Sequence, residues 1–151
     1  MSLVSFPSWG LSYDDLVIRA GLYYEKFTAT PFTGEIDEGR GKGSFQNGKH
    51  EGPWEFYHGN GQVSLKGDFK NGERHGLWVD LWSNGDLSIR NNWSNGKMDG
   101  LSEGYFENGQ LIWRGHFKKD KKDGDWIAYR SDGTVNKKET GKYKNGVKVS
   151  D

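Results

Sequence analysis

The sequence predicts an all-β fold, an elongated, single-layer antiparallel β-meander of stacked 24-residue hairpins with a capping segment at each end. The first observation is a 24-residue period, in units that start at residues 43, 67, 91 and 115. The second is that each unit holds two glycine-containing turns, which leaves two strands per unit. The third is strict alternation in one strand, where Val63, Leu65, Gly67 and Phe69 are separated by polar residues. Such alternation is typical of a half-buried antiparallel strand.

Residues 1–42 differ from the repeats and form an N-terminal segment with a capping hairpin. We expect strands over 15–19 and 22–26, joined at Ala20 and Gly21, with a short helix over 12–18 as an alternative. Residues 30–36 lead into the array. The sequence therefore predicts that this segment covers the first repeat, because a single hairpin repeat cannot bury its own face.

The four repeats occupy residues 43–140, and residues at the same position of successive repeats form columns of fixed chemistry. An aromatic column contains Phe45, Phe69, Trp93, Phe117 and, in the last half-repeat, Tyr143. A tryptophan column contains Trp54, Trp78 and Trp126, with Ser102 as the exception, and a third column contains Tyr57, Leu81, Tyr105 and Tyr129. We assign all three columns to the core. The last two are three residues apart, so both can face the core only through a bulge or a strong twist.

Glycines at 67 and 115 predict that an aromatic ring packs closely over bare backbone. Asn-Gly pairs at the first turn tolerate positive φ, and Lys119-Asp120 breaks this pattern in the fourth repeat. A slip of two residues precedes the half-repeat 141–151, which is basic and polar and is expected to cap the far end. The three parts form one continuous domain.

Composition limits the classes of function. A length of 151 residues predicts one domain, and 21 basic against 21 acidic residues argue against a nucleic-acid-binding protein. Twenty-two aromatic residues indicate a folded chain, and the absence of cysteine excludes disulfides. Residues 114–151 hold eleven basic and six acidic residues, and the rest of the chain is acidic. This asymmetry indicates solvated surface or a basic end that meets an acidic partner.

We expect a cytoplasmic protein without a transmembrane segment. The first ten residues lack the basic and apolar regions of a signal peptide, and no stretch of 18 apolar residues occurs.

The repeated unit G-x-[aromatic]-x-N-G-x-x-x-G-x-W-x-x-Y-x-x-x-G-x-[aliphatic] resembles MORN repeats (membrane occupation and recognition nexus). It is most similar to the bacterial MORN-variant family, whose members are often described as antitoxin components. Residues 21–36 resemble the N-terminal part of those proteins, and the resemblance covers about residues 15–148. It implies a twisted β-hairpin array that serves protein contacts or scaffolding and, in some eukaryotic members, association with membrane lipids.

The sequence predicts no catalytic, cofactor or metal site. The four histidines occupy different columns; His50 and His75 could lie close together, but no third metal ligand can be named. The segment 43–50 is close to a phosphate-binding loop, but His50 stands where that motif needs a hydroxyl. Paired carboxylates would need a pocket that shifts their pKa values, which a single-layer sheet is not expected to offer.

Candidate contact residues lie in columns whose chemistry varies, namely His58, Trp82, Phe106 and Trp113. The first three share one column with Arg130, and Trp113 is level with Leu65, Ile89 and Lys137. A large aromatic side chain at a variable position is a better candidate for an interface than a recurring core ring. Local packing is the alternative interpretation.

These observations favour a non-catalytic protein–protein interaction module, antitoxin-like or immunity-like, with an unidentified protein partner such as a toxin. Open sheet edges also allow self-association. One alternative is a repeat protein that binds glycans or cell wall. Another is weak binding to anionic lipid through the basic C-terminal end.

Overall fold

The structure, a computed structural model, describes residues 10–151. The first nine residues of the predicted N-terminal segment therefore lie outside the described residues. Over the described part of the chain, a short 3₁₀ helix, Tyr13–Asp15, precedes thirteen strands. The strands are β1 Leu16–Arg19, β2 Leu22–Glu25, β3 Gly34–Ile36, β4 Gly41–Gln46, β5 Lys49–Tyr57, β6 Val63–Lys70, β7 Glu73–Leu81, β8 Leu87–Ser94, β9 Lys97–Tyr105, β10 Leu111–Lys118, β11 Lys121–Ala128, β12 Gly141–Lys144 and β13 Val147–Ser150.

Strands β3 to β13 form one sheet of eleven strands, in which each strand pairs antiparallel with its neighbours in the sequence. Strands β1 and β2 form a separate hairpin. This connectivity confirms the predicted all-β antiparallel meander. The 3₁₀ helix lies within the segment 12–18, where a short helix was the alternative, and is followed directly by β1.

The first turn of each repeat adopts the left-handed backbone that Asn-Gly was expected to provide. Asn71 has φ 53° and Gly72 has φ 84°. Lys119 and Asp120 replace this pair in the fourth repeat, and they adopt the same conformation, with φ 50° and 67°. The hairpin geometry therefore imposes the turn even where the residues do not favour it.

A tryptophan ring lies over a glycine in three of the four repeats. A Cβ atom on Gly67 would overlap the Trp78 ring, and the Trp78 Nε1 donates a hydrogen bond to the Asp68 carbonyl at 3.0 Å. Opposite Gly67 the partner strand bulges, because residues 76–78 stand against this one residue. The same arrangement pairs Trp54 with Gly43 and Trp126 with Gly115. The predicted close packing of aromatic rings over bare glycine is confirmed, and we call this side of the sheet the inner face.

Two tyrosines of the third column, Tyr57 and Tyr105, lie on the opposite side, which we call the outer face. The Tyr57 hydroxyl donates a hydrogen bond to Glu55 at 2.8 Å. Glu55 follows Trp54 directly, and successive residues of a strand point to opposite faces. The interpretation that this column belongs to the core with the tryptophans is therefore wrong for Tyr57, because the register shift beside Phe56 places its extra residue on β6 and β5 keeps its alternation. Tyr129, by contrast, lines a recess together with Trp126.

The two ends of the array are covered in different ways. At the N-terminal end, Leu16, Ile36, Phe45 and Trp54 form a buried cluster beneath the β1–β2 hairpin. At the other end, the segment 136–140 packs beside β11, where the Thr140 hydroxyl accepts a hydrogen bond from the Ala128 amide at 2.9 Å. The core is thus densest beneath the N-terminal cap.

Candidate functional site

The third repeat changes the glycine and tryptophan columns together, because Asn91 replaces the glycine and Ser102 replaces the tryptophan. Ser102 is only 2% exposed, and its hydroxyl donates a hydrogen bond to the Asn91 Oδ1 at 2.7 Å. The two residues pair directly across the ladder, and the three-residue bulge moves one position to face Asn92. A hydrogen-bonded pair of a buried serine and a half-buried asparagine therefore occupies the place that a ring over bare backbone takes in the other repeats.

Trp113, from the neighbouring strand β10, partly fills the space that this exchange leaves. Its ring lies so close over Gly104 that a Cβ atom there would overlap it. Its Nε1 donates a hydrogen bond to the Ser102 hydroxyl at 3.3 Å. Ser102 therefore both donates and accepts, which satisfies a hydroxyl that burial removes from water.

A cavity of about 350 Å³ lies on the inner face against this pair. Its largely apolar wall consists of Ile89, Met98, Ile112, Trp113, Phe117, Trp126, Ala128 and Tyr129. Lys122, Asn136 and Glu139 also line it. The Lys122 Nζ is 3.2 Å from a Glu139 carboxylate oxygen and 4.5 Å from the centre of the Trp126 ring. The site is thus an apolar recess with an ion pair at its border.

Three of the four predicted contact residues lie in one row at the start of the second turn of their repeats. The amides of His58, Trp82 and Phe106 each donate to the carbonyl four residues later, at 2.8, 2.8 and 2.9 Å. A ring nitrogen of His58 is 2.8 Å from the Leu81 carbonyl, so this side chain packs against the next repeat. We call these three residues the aromatic row.

Trp82 differs from its neighbours in the aromatic row. It is half-buried, and its Nε1 is buried without a hydrogen-bond partner among the described residues. Trp113 lies away from the row, in the cavity wall. Partner contact at all four residues stays a prediction.

His50 and His75 lie apart, since His50 is packed beneath the N-terminal cap and His75 is exposed. The Tyr13 hydroxyl is 2.6 Å from the His50 Nε2, and the Phe69 ring stacks on the imidazole at 4.6 Å. Burial lowers the pKa of His50 to about 4 and raises the pKa of Tyr13 above its ordinary value. His50 is therefore neutral at pH 7. Within residues 10–151, no group of three or more His, Cys, Asp or Glu residues could hold a metal ion.

A charged cluster lies on the outer face of the third repeat. The Glu103 carboxylate is 2% exposed, accepts a hydrogen bond from the Arg90 Nε and is 3.2 Å from the Arg114 Nε. The Tyr105 hydroxyl donates a further hydrogen bond to it at 3.1 Å. Burial alone raises the pKa of Glu103, but the bonds from Arg90 and Tyr105 and the nearby positive charges outweigh it, so the pKa lies below its ordinary value. Such a carboxylate stays ionised and stabilises the sheet.

Ser102 and Asn91 are the residues that the sequence interpretation missed as part of a site. The sequence carried a signal for them, since both depart from their columns in the same repeat and no other repeat changes either column. The cavity wall itself had no such signal. Within the described part of the chain, no helix has the length and apolar character needed to cross a membrane.

A family model described as the MORN repeat variant matches residues 51–71 and 98–119. The resemblance inferred from the repeat columns is confirmed by these two matches, which fall on β5 to β6 and on β9 to β10. No curated protein matches the chain.

Among solved structures, a crystal structure of a GtfA/B complex bound to UDP and GlcNAc is similar over 74% of this chain, at 12% identity and a TM-score of 0.25. This chain spans 24% of the length of that one. A likeness at this level carries no argument about function.

Proposed function

We propose that this chain, a protein of MORN-variant repeats, is a non-catalytic module that binds another protein and blocks it, as an antitoxin or immunity protein blocks a toxin. Repeats of this type are in general protein-interaction or membrane-interaction modules. The observation that carries the choice of a protein partner is the aromatic row, which lines up large side chains at the second turns, where the strands end. Rings of this kind dominate the binding energy of protein interfaces.

Trp82 is the residue of the row with the strongest support. A buried indole N–H without an acceptor costs about 1–3 kcal/mol relative to one that is hydrogen-bonded. The Trp82 Nε1 has no such acceptor among the described residues. A partner that contacts the half-buried ring and draws its N–H outward onto a carbonyl or carboxylate oxygen would gain both the ring contact and this hydrogen bond.

A non-catalytic role is supported by the state of the titratable groups. The Glu103 carboxylate is held between two guanidinium groups, and the His50 imidazole is packed beneath the cap against Tyr13 and Phe69. Neither group combines a pKa near neutrality with an open position beside a substrate, which general acid–base catalysis needs.

The exposed edge of β13 supports self-association as a second mode of binding. β13 is the last strand in the order of the sheet, and Val147 and Val149 on it are 65% and 58% exposed. An edge strand with exposed valines presents both backbone hydrogen-bonding groups and apolar side chains to another strand.

Lipid binding is the alternative supported by charge, because residues 114–151 carry eleven basic and six acidic residues. Each Lys or Arg near an anionic surface contributes about 1 kcal/mol, so this end could hold the protein weakly on a membrane.

Affinity capture from the native lysate, read by mass spectrometry, tests the proposal. Tagged wild-type protein is compared with Trp82→Ala and with Leu77→Ala, a control in which an exposed apolar side chain is removed outside the row. We expect one stoichiometric protein partner with the wild type and the control, and its loss with Trp82→Ala. Phe106→Ala serves as a second row variant if circular dichroism shows that Trp82→Ala does not fold. Recovery of the bait alone, or equal capture by row variants and control, would contradict the proposal.

A further inference from the structure

The inner-face cavity lies where the repeat pattern places an aromatic ring that this chain does not supply. In the other three repeats an indole covers the glycine column, whereas here Ser102 and Asn91 form the adjoining wall. Trp113 covers Gly104 instead, so it borders the cavity and does not close it. The stack of rings along the inner face is interrupted at this point.

The size and lining of the cavity select an aromatic ligand group. An apolar cavity of about 150 Å³ is large enough to hold a benzene ring. The cavity here is about 350 Å³ and is walled by Trp113, Phe117, Trp126 and Tyr129 together with aliphatic side chains. Aromatic pairs gain about 0.5–1.5 kcal/mol beyond the area they bury, so an added ring is favoured over an aliphatic group of equal size.

The polar groups around the cavity argue against a sugar. Ser102 and Asn91 bond to each other, and Lys122 is paired with Glu139. The Asn136 side-chain oxygen accepts a hydrogen bond from the Lys138 amide. A buried hydroxyl without a partner is costly, and few free partners are left here for the hydroxyls of a sugar ring.

One border of the cavity carries a net positive charge, because Lys122 and Glu139 offset each other and two lysines lie beside Glu139 in the sequence. Asn136 and Glu139 both line the cavity, and the two residues between them, Lys137 and Lys138, are exposed. They belong to the C-terminal region in which basic residues exceed acidic ones by five. A ligand that enters past these lysines is attracted when it carries negative charge.

We propose that this cavity binds one aromatic side chain of a partner protein, presented on an acidic peptide segment. The ring completes the interrupted stack on the inner face, and acidic residues on either side of it lie against Lys137 and Lys138. The proposal rests on the proposed protein-binding function and names the chemistry of the partner segment. The site differs from the aromatic row, which lies at the second turns.

Three short peptides test the proposal on the wild-type protein: acetyl-Glu-Asp-Trp-Glu-Asp-amide, the same peptide with Ala in place of Trp, and acetyl-Lys-Arg-Trp-Lys-Arg-amide. Binding is followed by calorimetry and by the indole N–H signals in NMR spectra. We expect the acidic tryptophan peptide to bind at least about tenfold more tightly than either of the others. We also expect it to shift the indole signals of Trp113 and Trp126, and its affinity to fall as salt is raised.

The double variant Asn91→Gly/Ser102→Trp supplies the missing ring from within and is the matched control. We expect it to keep the β-sheet spectrum, to melt no lower than the wild type and to lose the binding of the acidic tryptophan peptide. Equal affinities for all three peptides, or no binding of any of them at millimolar concentration, would overturn the proposal. Shifts of the same indole signals with protein concentration alone would also overturn it, because the occupant would then be a second copy.

Failure of this proposal is distinguishable from failure of the proposed function. If the double variant still captures the partner from the lysate and Trp82→Ala does not, the module binds a protein through the aromatic row and the cavity is not its site. The opposite outcome is that neither the wild type nor the double variant captures a protein, while the wild type still binds the acidic tryptophan peptide most tightly. The cavity then binds such a segment as proposed, and the proposed protein-blocking function is contradicted.

Discussion

The second and third repeats solve the same packing problem with different chemistry. In the second repeat the Trp78 ring is fully buried over Gly67 and is held by one hydrogen bond to the backbone. In the third, Asn91 and Ser102 form a partly buried hydrogen bond, and the bulge moves by one residue. The large ring over the smallest residue fills the layer, whereas the two medium polar residues leave a cavity beside them. The comparison teaches that the two columns are coupled and change together.

The same comparison shows how a repeat protein gains a specific site. The regular repeats cover each glycine of the column with an indole on their inner face. The third repeat keeps its strands and turns, but the loss of one indole leaves a cavity beside it. A departure from the repeat thus changes the surface while the backbone ladder is kept.

The largest effect is expected for the tryptophans that the two repeats use differently. Trp78→Ala removes a fully buried ring and should lower the free energy of unfolding by about 3–5 kcal/mol. Trp113→Ala removes a half-buried ring at the cavity wall and should cost about 1–2 kcal/mol, because part of its surface already meets an open space. Urea denaturation of both variants measures the two free energies of unfolding. Equal decreases would contradict the expected difference between Trp78 and Trp113.

The glycine column should respond next. Gly67→Ala places a Cβ atom against the Trp78 ring, which has to move. We therefore expect the free energy of unfolding to fall by about 2–3 kcal/mol. Gly59→Ala is the control, since a Cβ atom there meets no other atom within 4 Å. Thermal unfolding of both variants tests this, and a Gly67→Ala protein as stable as the control would show that the ring is free to shift.

The outer face of the third repeat gives a smaller effect. Glu103→Gln removes a negative charge that is paired with Arg90 and Arg114. We expect it to lower the free energy of unfolding by about 1–2 kcal/mol, and by less at high salt. Glu55→Gln changes the matching residue of the first repeat, which is exposed, and should cost less than about 0.5 kcal/mol. Denaturation in low and high salt measures both. Similar decreases in the free energy of unfolding for the two variants would show that Glu103 contributes no more to stability than Glu55.

The smallest effect is expected at His50, which occupies the repeat position that Met98 has in the third repeat. Its burial makes the stability of the protein depend on pH. Burial sets the pKa of His50 to about 4, below the ordinary value of 6.5, so the unfolded chain binds a proton more readily. The stability from the neutral imidazole is complete above about pH 6.5 and is lost as the pH falls towards 4, by about 1 kcal/mol after allowance for solvent screening.

Variants at two histidines separate this effect from general acid denaturation. His50→Gln should flatten the fall in stability between pH 6.5 and 4, and His75→Gln, at an exposed histidine, should leave it unchanged. Unfolding curves measured across this range report the slope. A slope that is the same in all three proteins would show that His50 does not carry it.

Much of the fold could be predicted because the same residue types recur at the same positions of successive repeats. The Asn-Gly turns, the alternation of Val63, Leu65 and Phe69, and the ring over glycine all follow from residue types at fixed spacing. The tyrosine column could not be assigned in this way. Its face depends on whether the strand bulges before Tyr57, and bulge position follows from packing across strands.

The candidate site was predictable only in part. Variation within columns singled out His58, Trp82 and Phe106, and the hairpin turns place them in one row because they share one repeat position. The cavity could not be derived in advance, because it depends on how far the Trp113 ring fills the space beside Ser102.

The sequence by itself determined the period, the strands, the turns and the antiparallel order, because these depend on local residue chemistry repeated at a fixed interval. The tertiary structure alone decided which face each tyrosine takes, that Ser102 pairs with Asn91, and that a cavity remains beside them. These features depend on side chains from several strands that fill one shared volume, and no single stretch of sequence specifies that volume.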